Sequence, residues 1–246
     1  MFSFFSKKYF IADYLEGLVD MHCHVLPGID DGAKDDSVSI EMLNLFKELG
    51  YTGLIATPHI MDGYYNNSST TVTEALKHFK DLVVTEGFKD FKVSAAAEYM
   101  LDEGFDKLSK TKDLLPIKGR KVLVEMSYLQ KPIYVDSQIF DVQQQGFEPI
   151  LAHPERYPYL ADMSQVLKFK EKGCYLQLNM LALSKHYGSR ATKQAFDLLS
   201  NRKYDFIGTD AHHPGHLRAI KQITISKKLV PSFESLISST KERLLV

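Results

Sequence analysis

Short apolar runs alternate with longer amphipathic stretches along almost the whole chain, and the apolar runs repeatedly end in residues that can bind or react. Residues 18–21 are apolar except for Asp20 and lead into His22-Cys23-His24. Residues 35–49 place Val38, Met42, Leu45, Phe46 and Leu49 at helical spacing, with Gly50 where a C-terminal cap belongs. Residues 53–57 read as a strand followed by Pro58-His59, and residues 70–86 as a helix with Val72, Leu76, Phe79 and Val83 as its apolar positions. Residues 91–97 form a predicted strand before Glu98, residues 121–124 another ending at Glu125, and residues 135–145 a helix. Farther on, the strand 147–152 ends at His153 and the strand 174–178 at Asn179, with helices over 165–172 and 190–200. The strand 204–208 runs into Thr209-Asp210-Ala211-His212, and residues 233–245 read as a closing helix.

This is a series of about seven β-α units, which implies a parallel sheet buried on both faces. No Pro/Gly/Ser-rich linker interrupts it. One α/β domain follows, and a closed barrel suits the length of 246 residues better than an open sheet. In such barrels the C-terminal strand ends carry the active site. The polar, turn-rich stretch 62–71 reads as a mobile loop.

Composition narrows the function. Hydrophobic residues make up 44% and charged residues 25%, enough for a sizeable core. A net charge of -1 argues against a broad nucleic-acid footprint. Two cysteines, Cys23 and Cys174, cannot build a disulfide framework and suit a reducing cytoplasm. No stretch is long and apolar enough to span a membrane. The first ten residues lack the apolar core of a signal peptide. Phe2, Phe4 and Phe5 beside Lys7 and Lys8 leave a peripheral membrane contact open, but docking of this segment on the barrel is the favoured expectation.

The histidines carry the strongest signal. Of nine, His22, His24, His59, His153 and His212 follow predicted strands, and Glu98, Glu125 and Asp210 occupy equivalent positions. Asp30 and Asp31 lie in the loop after the first strand. A single histidine at a strand end is usually a hydrogen-bonded rim residue. Five with three acidic partners at one barrel rim point instead to metal ions. His-x-His in a strand puts both imidazoles on one side, and Asp210-x-His212 repeats that geometry. Imidazole with carboxylate suits zinc, manganese or iron, and there are too many donors for one ion. Arg156 and Arg218 follow two of these segments. A guanidinium matches phosphate oxygens, yet a salt bridge accounts for Arg156 equally well on spacing alone, and Arg218 fits a solvated helix face better. No Gly-x-x-x-x-Gly-Lys, His-Glu-x-x-His or Cys-x5-Arg pattern occurs.

Taken together, Asp20-Met-His22-Cys-His24, Leu26-Pro-Gly-Ile-Asp30-Asp31-Gly32, Thr57-Pro-His59, Ala97-Glu98, Glu125, Ala152-His153-Pro-Glu-Arg156-Tyr157 and Asp210-Ala-His212 resemble the polymerase-and-histidinol-phosphatase (PHP) family. The nearer likeness is to its bacterial metal-dependent protein-tyrosine phosphatases of capsular and exopolysaccharide synthesis. The resemblance spans residues 18 to about 240 and implies a distorted (β/α)7 barrel over 18–246, with residues 1–17 as an extension. It implies a first ion on His22, His24, Glu98 and Asp210, a second on Glu98, Glu125 and His153, and a third on Asp31, His59 and His212. Manganese is the expected metal, with zinc or iron as alternatives. Arg156 is expected to bind the phosphoryl group, with Arg218 as a second candidate although its spacing departs from the family's pattern. A tyrosine autokinase is the implied partner.

The implied reaction is attack of a metal-activated hydroxide on phosphorus. Three other readings stay open. A small-molecule phosphatase, for instance on histidinol phosphate, would need a closed pocket where a phosphopeptide needs an open rim. A metal-dependent nuclease would need a basic, aromatic-interleaved stripe, which is missing. A non-enzymatic kinase-binding barrel would not need so complete a ligand set.

Overall fold

The computed structural model describes residues 8–111 and 113–245. Among the described residues eleven strands are formed: β1 (Tyr9–Phe10), β2 (Val19–Cys23), β3 (Gly53–Ala56), β4 (His59–Ile60), β5 (Lys92–Ala95), β6 (Glu98–Met100), β7 (Lys121–Glu125), β8 (Glu148–Leu151), β9 (Tyr175–Asn179), β10 (Phe206–Gly208) and β11 (Thr224–Ile225). The helices are α1 (Asp36–Glu48), α2 (Ser69–Thr85), α3 (Glu103–Thr111), α4 (Val135–Gln144), α5 (Met163–Glu171), α6 (Gly188–Ser200), α7 (Pro214–Ile220) and α8 (Val230–Leu245).

The architecture is a single α/β domain around a curled parallel sheet. β2, β3 and β5 form one ladder, and β4, β6, β7, β8, β9 and β10 form another, all parallel. The two ladders meet at two interrupted strands, β3–β4 and β5–β6. β3 breaks at Thr57-Pro58 before β4, where proline has no N–H to give a ladder. β5 breaks at Ala96-Ala97 before β6. Hydrogen bonds from Ala96 N to Ala56 O (2.8 Å) and from Glu98 N to Pro58 O (3.1 Å) carry the pairing across both breaks. At the far edge, Asp210 N donates to His22 O (2.8 Å) and His24 N to Ala211 O (2.9 Å), so the end of β10 reaches back to β2.

The expected strands are all present, with β2 and β7 running on to include His22, Cys23 and Glu125. The expected strands 53–57 and 91–97 are each interrupted just before a site residue. The helix α1 starts where the Asp35 carboxylate accepts from Val38 N and ends before Gly50, whose φ of +85 only glycine adopts without strain. Within the stretch expected to be a mobile loop, residues 69–71 are already the first turn of α2, fixed by a capping box between Ser68 and Thr71. Asn67 also donates to the carbonyls of Ile29 and His59. Two short helices, α3 and α7, went unpredicted.

The core is mainly one apolar cluster between sheet and helices. A smaller one takes a residue from each of several strands: Met21, Ile55, Leu123, Ile150 and Phe206. Cys23 and Cys174 are both buried and unpaired. β1 pairs antiparallel with β11, and Ile11 and Leu15 are fully buried in the main core, so residues 9–15 are docked. Phe2, Phe4, Phe5 and Lys7, which leave a peripheral membrane contact open, lie outside the described residues. Among the described residues no helix is long and apolar enough to cross a membrane.

Candidate metal centre

Most of the parallel strand runs deliver one or two donors at the same rim, either at the C-terminal end of a strand or just past a break in it. β2 supplies His22 and, one residue on, His24; β4 begins with His59; β6 begins with Glu98; β7 ends with Glu125; His153 follows β8; Asp210 and His212 follow β10. Asp31 comes from the β2–α1 loop. That loop lies tightly against β2: a Cβ on Gly32 would stand 2.1 Å from the His24 carbonyl oxygen, so only glycine fits. His153 (φ 34) and Asp210 (φ 51) sit in the left-handed region, which turns each side chain sharply at its strand end.

Three groups of donors result: His22, His24, Glu98 and Asp210; His59, Glu98 and Glu125; and His24, Asp31, His59 and His212. In the first, His22 Nε2 is 3.2 Å from Glu98 Oε2, 3.2 Å from Asp210 Oδ1 and 3.3 Å from His24 Nε2. His24 Nε2 lies 3.4 Å from Glu98 Oε2 and 3.3 Å from Asp210 Oδ1. These five distances match the edge of a tetrahedron whose centre lies about 2.0 Å from each corner, the bond length of zinc to imidazole or carboxylate. In the second, His59 Nδ1 is 3.0 Å from Glu125 Oε1 and 3.2 Å from Glu98 Oε2. In the third, Asp31 Oδ1 is 3.4 Å from His59 Nε2 and 3.5 Å from His212 Nε2.

Four of these donor atoms, and one further ring nitrogen, are left without hydrogen bonds. Glu98 Oε2, Asp210 Oδ1, Glu125 Oε1, His59 Nδ1 and His153 Nδ1 are buried and unpartnered. Buried polar atoms rarely stay orphaned, and here they converge. The donor set therefore fits divalent ions.

The surrounding groups fix the histidine tautomers. Gln177 Oε1 accepts from His153 N (3.2 Å), so the His22 Nδ1 that approaches the same oxygen at 3.1 Å must carry its proton. His24 Nδ1 is 2.8 Å from Asp30 Oδ2, and His212 Nδ1 is 2.9 Å from the Asp210 carbonyl. In all three rings the Nε2 lone pair is left facing the centre, the arrangement of ligating histidines. Burial opposes charge on His22, His24 and His59, but the neighbouring carboxylates outweigh it and raise all three pKa values, His59 to about 9. Divalent ions would replace these protons. Burial and the adjacent His24 push His212 down to about 4.

An open cleft of about 340 Å³ covers the centre, lined by His59, Met61, Tyr65, Tyr128, Arg156 and Asp210 among others. Arg156 is clamped there. Its guanidinium lies 4.5 Å from the Tyr128 ring centre and 4.3 Å from that of Tyr187, and Nη1 donates to Asp210 Oδ2 at 2.8 Å. Tyr65 stacks on His59 across the cleft, at 5.5 Å.

All nine histidine and carboxylate positions expected to be ligands come to this rim, with two departures in detail. His153 belongs to none of the three donor groups: its Nε2 faces Glu98 Oε1 at 3.0 Å and Tyr128 Oη at 3.4 Å, and His59 stands in the second group instead. Arg218 is not brought to the cleft. Its Nη1 donates to Glu41 Oε1 of α1 at 2.6 Å, with both side chains more than half exposed to water or nearly so. Asp30, Gln177, Asn179, Tyr128 and Tyr187 act in the site without having been assigned to it. Gln177 and Asn179 carried a signal, since they are polar residues at alternate positions of the buried strand β9.

Fold and site define the class: an α/β protein with a multinuclear donor centre and an arginine beside it under an open cleft. The chain belongs to the family described as capsular polysaccharide synthesis, CpsB/CapC, which it matches over residues 18–229. It is 30% identical to the tyrosine-protein phosphatase YwqE of Bacillus subtilis over 198 residues, covering 80% of this chain and 78% of that one. It is 26% identical over 232 residues to the putative tyrosine-protein phosphatase CapC of Staphylococcus aureus, covering 93% and 91%. Among solved structures, it is similar to one from a study of YwqE and of CpsB from Streptococcus pneumoniae, described there as unique metal-dependent tyrosine phosphatases. The TM-score is 0.73 at 26% identity, over 91% of this chain and 95% of the other.

Proposed function

We propose that this chain is a metal-dependent protein-tyrosine phosphatase of capsular or exopolysaccharide synthesis that acts in the cytoplasm on a tyrosine autokinase. The observation that carries the reading is the convergence of unpartnered buried donors on one rim beside Arg156. The naming of the relatives as tyrosine phosphatases supports the substrate class. Two or three divalent ions, manganese before zinc or iron, would be held as follows. His22, His24, Glu98 and Asp210 would take the first; Glu98 and Glu125 would take the second, with His59 facing it and His153, beside Glu98, completing it; Asp31, His59 and His212 would take the third. The seven strand positions β2, β3–β4, β5–β6, β7, β8, β9 and β10 make up a distorted (β/α)7 barrel of the PHP type, with residues 18–246 as the catalytic domain and 1–17 as an extension.

Such ions supply Lewis acidity and lower the pKa of water at neutral pH. The chain's own residues do the rest. Arg156 is held flat between two tyrosines, so its remaining N–H groups meet phosphoryl oxygens with little loss of freedom. Asp210 anchors that guanidinium through Oδ2 while Oδ1 faces the donors, which couples phosphate position to the metal centre. Tyr65 and Tyr128 give the cleft aromatic walls for a phenyl ring. A phenolate leaving group, with a pKa of about 10, needs far less proton assistance than an alkoxide.

The test is phosphate release from a phosphotyrosine peptide, first as purified, then with a chelator, then with manganese restored. Release that is lost and regained supports both metal and substrate class. No release with manganese, zinc or iron removes the tyrosine phosphatase reading and makes histidinol phosphate the next substrate to assay.

A further inference from the structure

Seven large hydrophobic side chains stand exposed among the described residues, and five of them, Tyr128, Leu129, Ile133, Tyr134 and Phe140, follow closely on the donor Glu125. Leu129 is 92% exposed and Ile133 86%. Tyr128 and Leu129 line the cleft over the metal centre, so the patch starts in the cleft wall and continues outward along the β7–α4 connection. α4 turns Val135, Ile139 and Val142 to the core, which leaves Ile133, Tyr134 and Phe140 unused by the fold. Lys131 and Lys172 share Asp136 at its edge, at 3.7 Å and 2.6 Å. The surface is therefore apolar, with a small basic excess at its edge. Several exposed large apolar side chains gathered in one short segment beside a cleft mark a contact site. A small phosphate ester would sit in the cleft and never reach Ile133. An extended polypeptide, at about 3.3 Å per residue, must cross the rim on its way to the centre.

We propose that residues 128–134 form a docking surface for the polypeptide that flanks the phosphotyrosine, selecting an apolar side chain a few positions away from it. This rests on the phosphatase reading of the cleft and adds a specificity determinant to it.

The test uses the metal-loaded full chain and the surface variants Ile133→Ser and Tyr134→Ser. Phosphotyrosine peptides carry leucine or serine at the flanking positions, and p-nitrophenyl phosphate serves as the flankless substrate. Each variant is expected to lower kcat/KM about tenfold for the leucine peptide, through KM, a loss in line with uncovering one apolar side chain. Rates on the serine peptide and on p-nitrophenyl phosphate stay unchanged. Fluorescence anisotropy with non-hydrolysable phosphonate versions of the same peptides reads docking without turnover. Wild-type protein that binds and prefers the leucine phosphonate but hydrolyses nothing keeps the docking surface and defeats the phosphatase reading. Hydrolysis of every substrate with variants indifferent to the flank defeats the docking surface alone. So does a variant that changes only the sedimentation of the protein, since the patch would then be a contact between two copies of this chain.

Discussion

Asp30→Asn probes the layer behind the donors with almost no change of volume. Three donors converge on the two Asp30 oxygens: His24 Nδ1 at 2.8 Å and His59 N at 3.1 Å on Oδ2, and Gly32 N at 2.9 Å on Oδ1. These contacts outweigh the burial that would raise its pKa, and hold it at about 2 against an ordinary 3.8. An asparagine offers one oxygen and turns an NH2 toward an N–H that needs an acceptor. In metal-free protein the lost preference for the ionised form is worth about 2 kcal/mol at neutral pH. Because this carboxyl's pKa is depressed, its contribution is full above about 3.8 and disappears as pH falls to about 2. In the loaded protein the same change frees the His24 ring to rotate, so metal affinity should fall roughly 10- to 100-fold. Two assays read this: urea unfolding of the chelated protein at neutral pH, and phosphate release as a function of buffered free manganese. The expected variant has a lower midpoint at unchanged slope. It needs more metal for half-activity, yet recovers to within a few-fold of wild type at saturation. Unchanged metal dependence would mean that Asp30 does not orient His24, and the ligand role given to His24 Nε2 would fall with it.

Arg156→Lys should lower kcat/KM for phosphotyrosine peptides by roughly 100-fold, because an ammonium cannot reproduce a fork of donors clamped between two rings; Arg218→Ala, which removes only the exposed pair with Glu41, should change it less than about twofold. Equal losses in the two would reverse their assignment. Glu155 is fully buried, accepts from Asn179 N and Tyr204 Oη at 2.9 Å each, and is raised by burial from 4.5 to about 7. Its stabilisation is therefore complete below about 4.5 and lost as pH rises to about 7, by up to about 3 kcal/mol. Glu155→Gln mimics the protonated acid, so chelated wild type should lose stability between pH 5 and 8 more steeply than the variant; parallel unfolding curves would refute this.

The candidate metal centre was legible because parallel strands end on one side of the sheet, so a donor just past an apolar run reaches the same rim. His59, Glu98 and Glu125 needed nothing beyond that rule. Which donors share an ion depends on side-chain torsions and on how far each strand end advances, and neither is written in spacing. That is why His59 replaces His153 in the second group. Asp30 and Asp31 are adjacent, yet one backs His24 and the other faces His59 and His212; only the folded loop separates those roles. Arg218 is placed by α7, whose opening Pro214-Gly215 hid a helix of seven residues and with it the direction of the guanidinium. α3 was hidden in a similar way, since only Phe105 and Ser109 of its nine residues are buried.

Neither strain nor an unsatisfied atom identifies the site by itself. Arg202 has a left-handed backbone at the exposed turn after α6, and Gln138 and Gln145 have unpartnered buried oxygens away from the donors. Only His153 and Asp210, among the described residues, combine a left-handed φ, full burial and an orphaned polar atom. Each feature costs on the order of 1–3 kcal/mol, and both residues sit where a parallel strand meets the rim. A fold that is otherwise consistent from helix caps to ladder keeps such costs only where something offsets them. At Asp210 the offset can be named: one oxygen holds Arg156 at 2.8 Å, and the other stands among the imidazoles of His22 and His24. The left-handed turn after β10 thus sets the Arg156 guanidinium and the His22 and His24 imidazoles on opposite edges of one carboxylate, so the proposed phosphate clamp and metal centre share a single anchor.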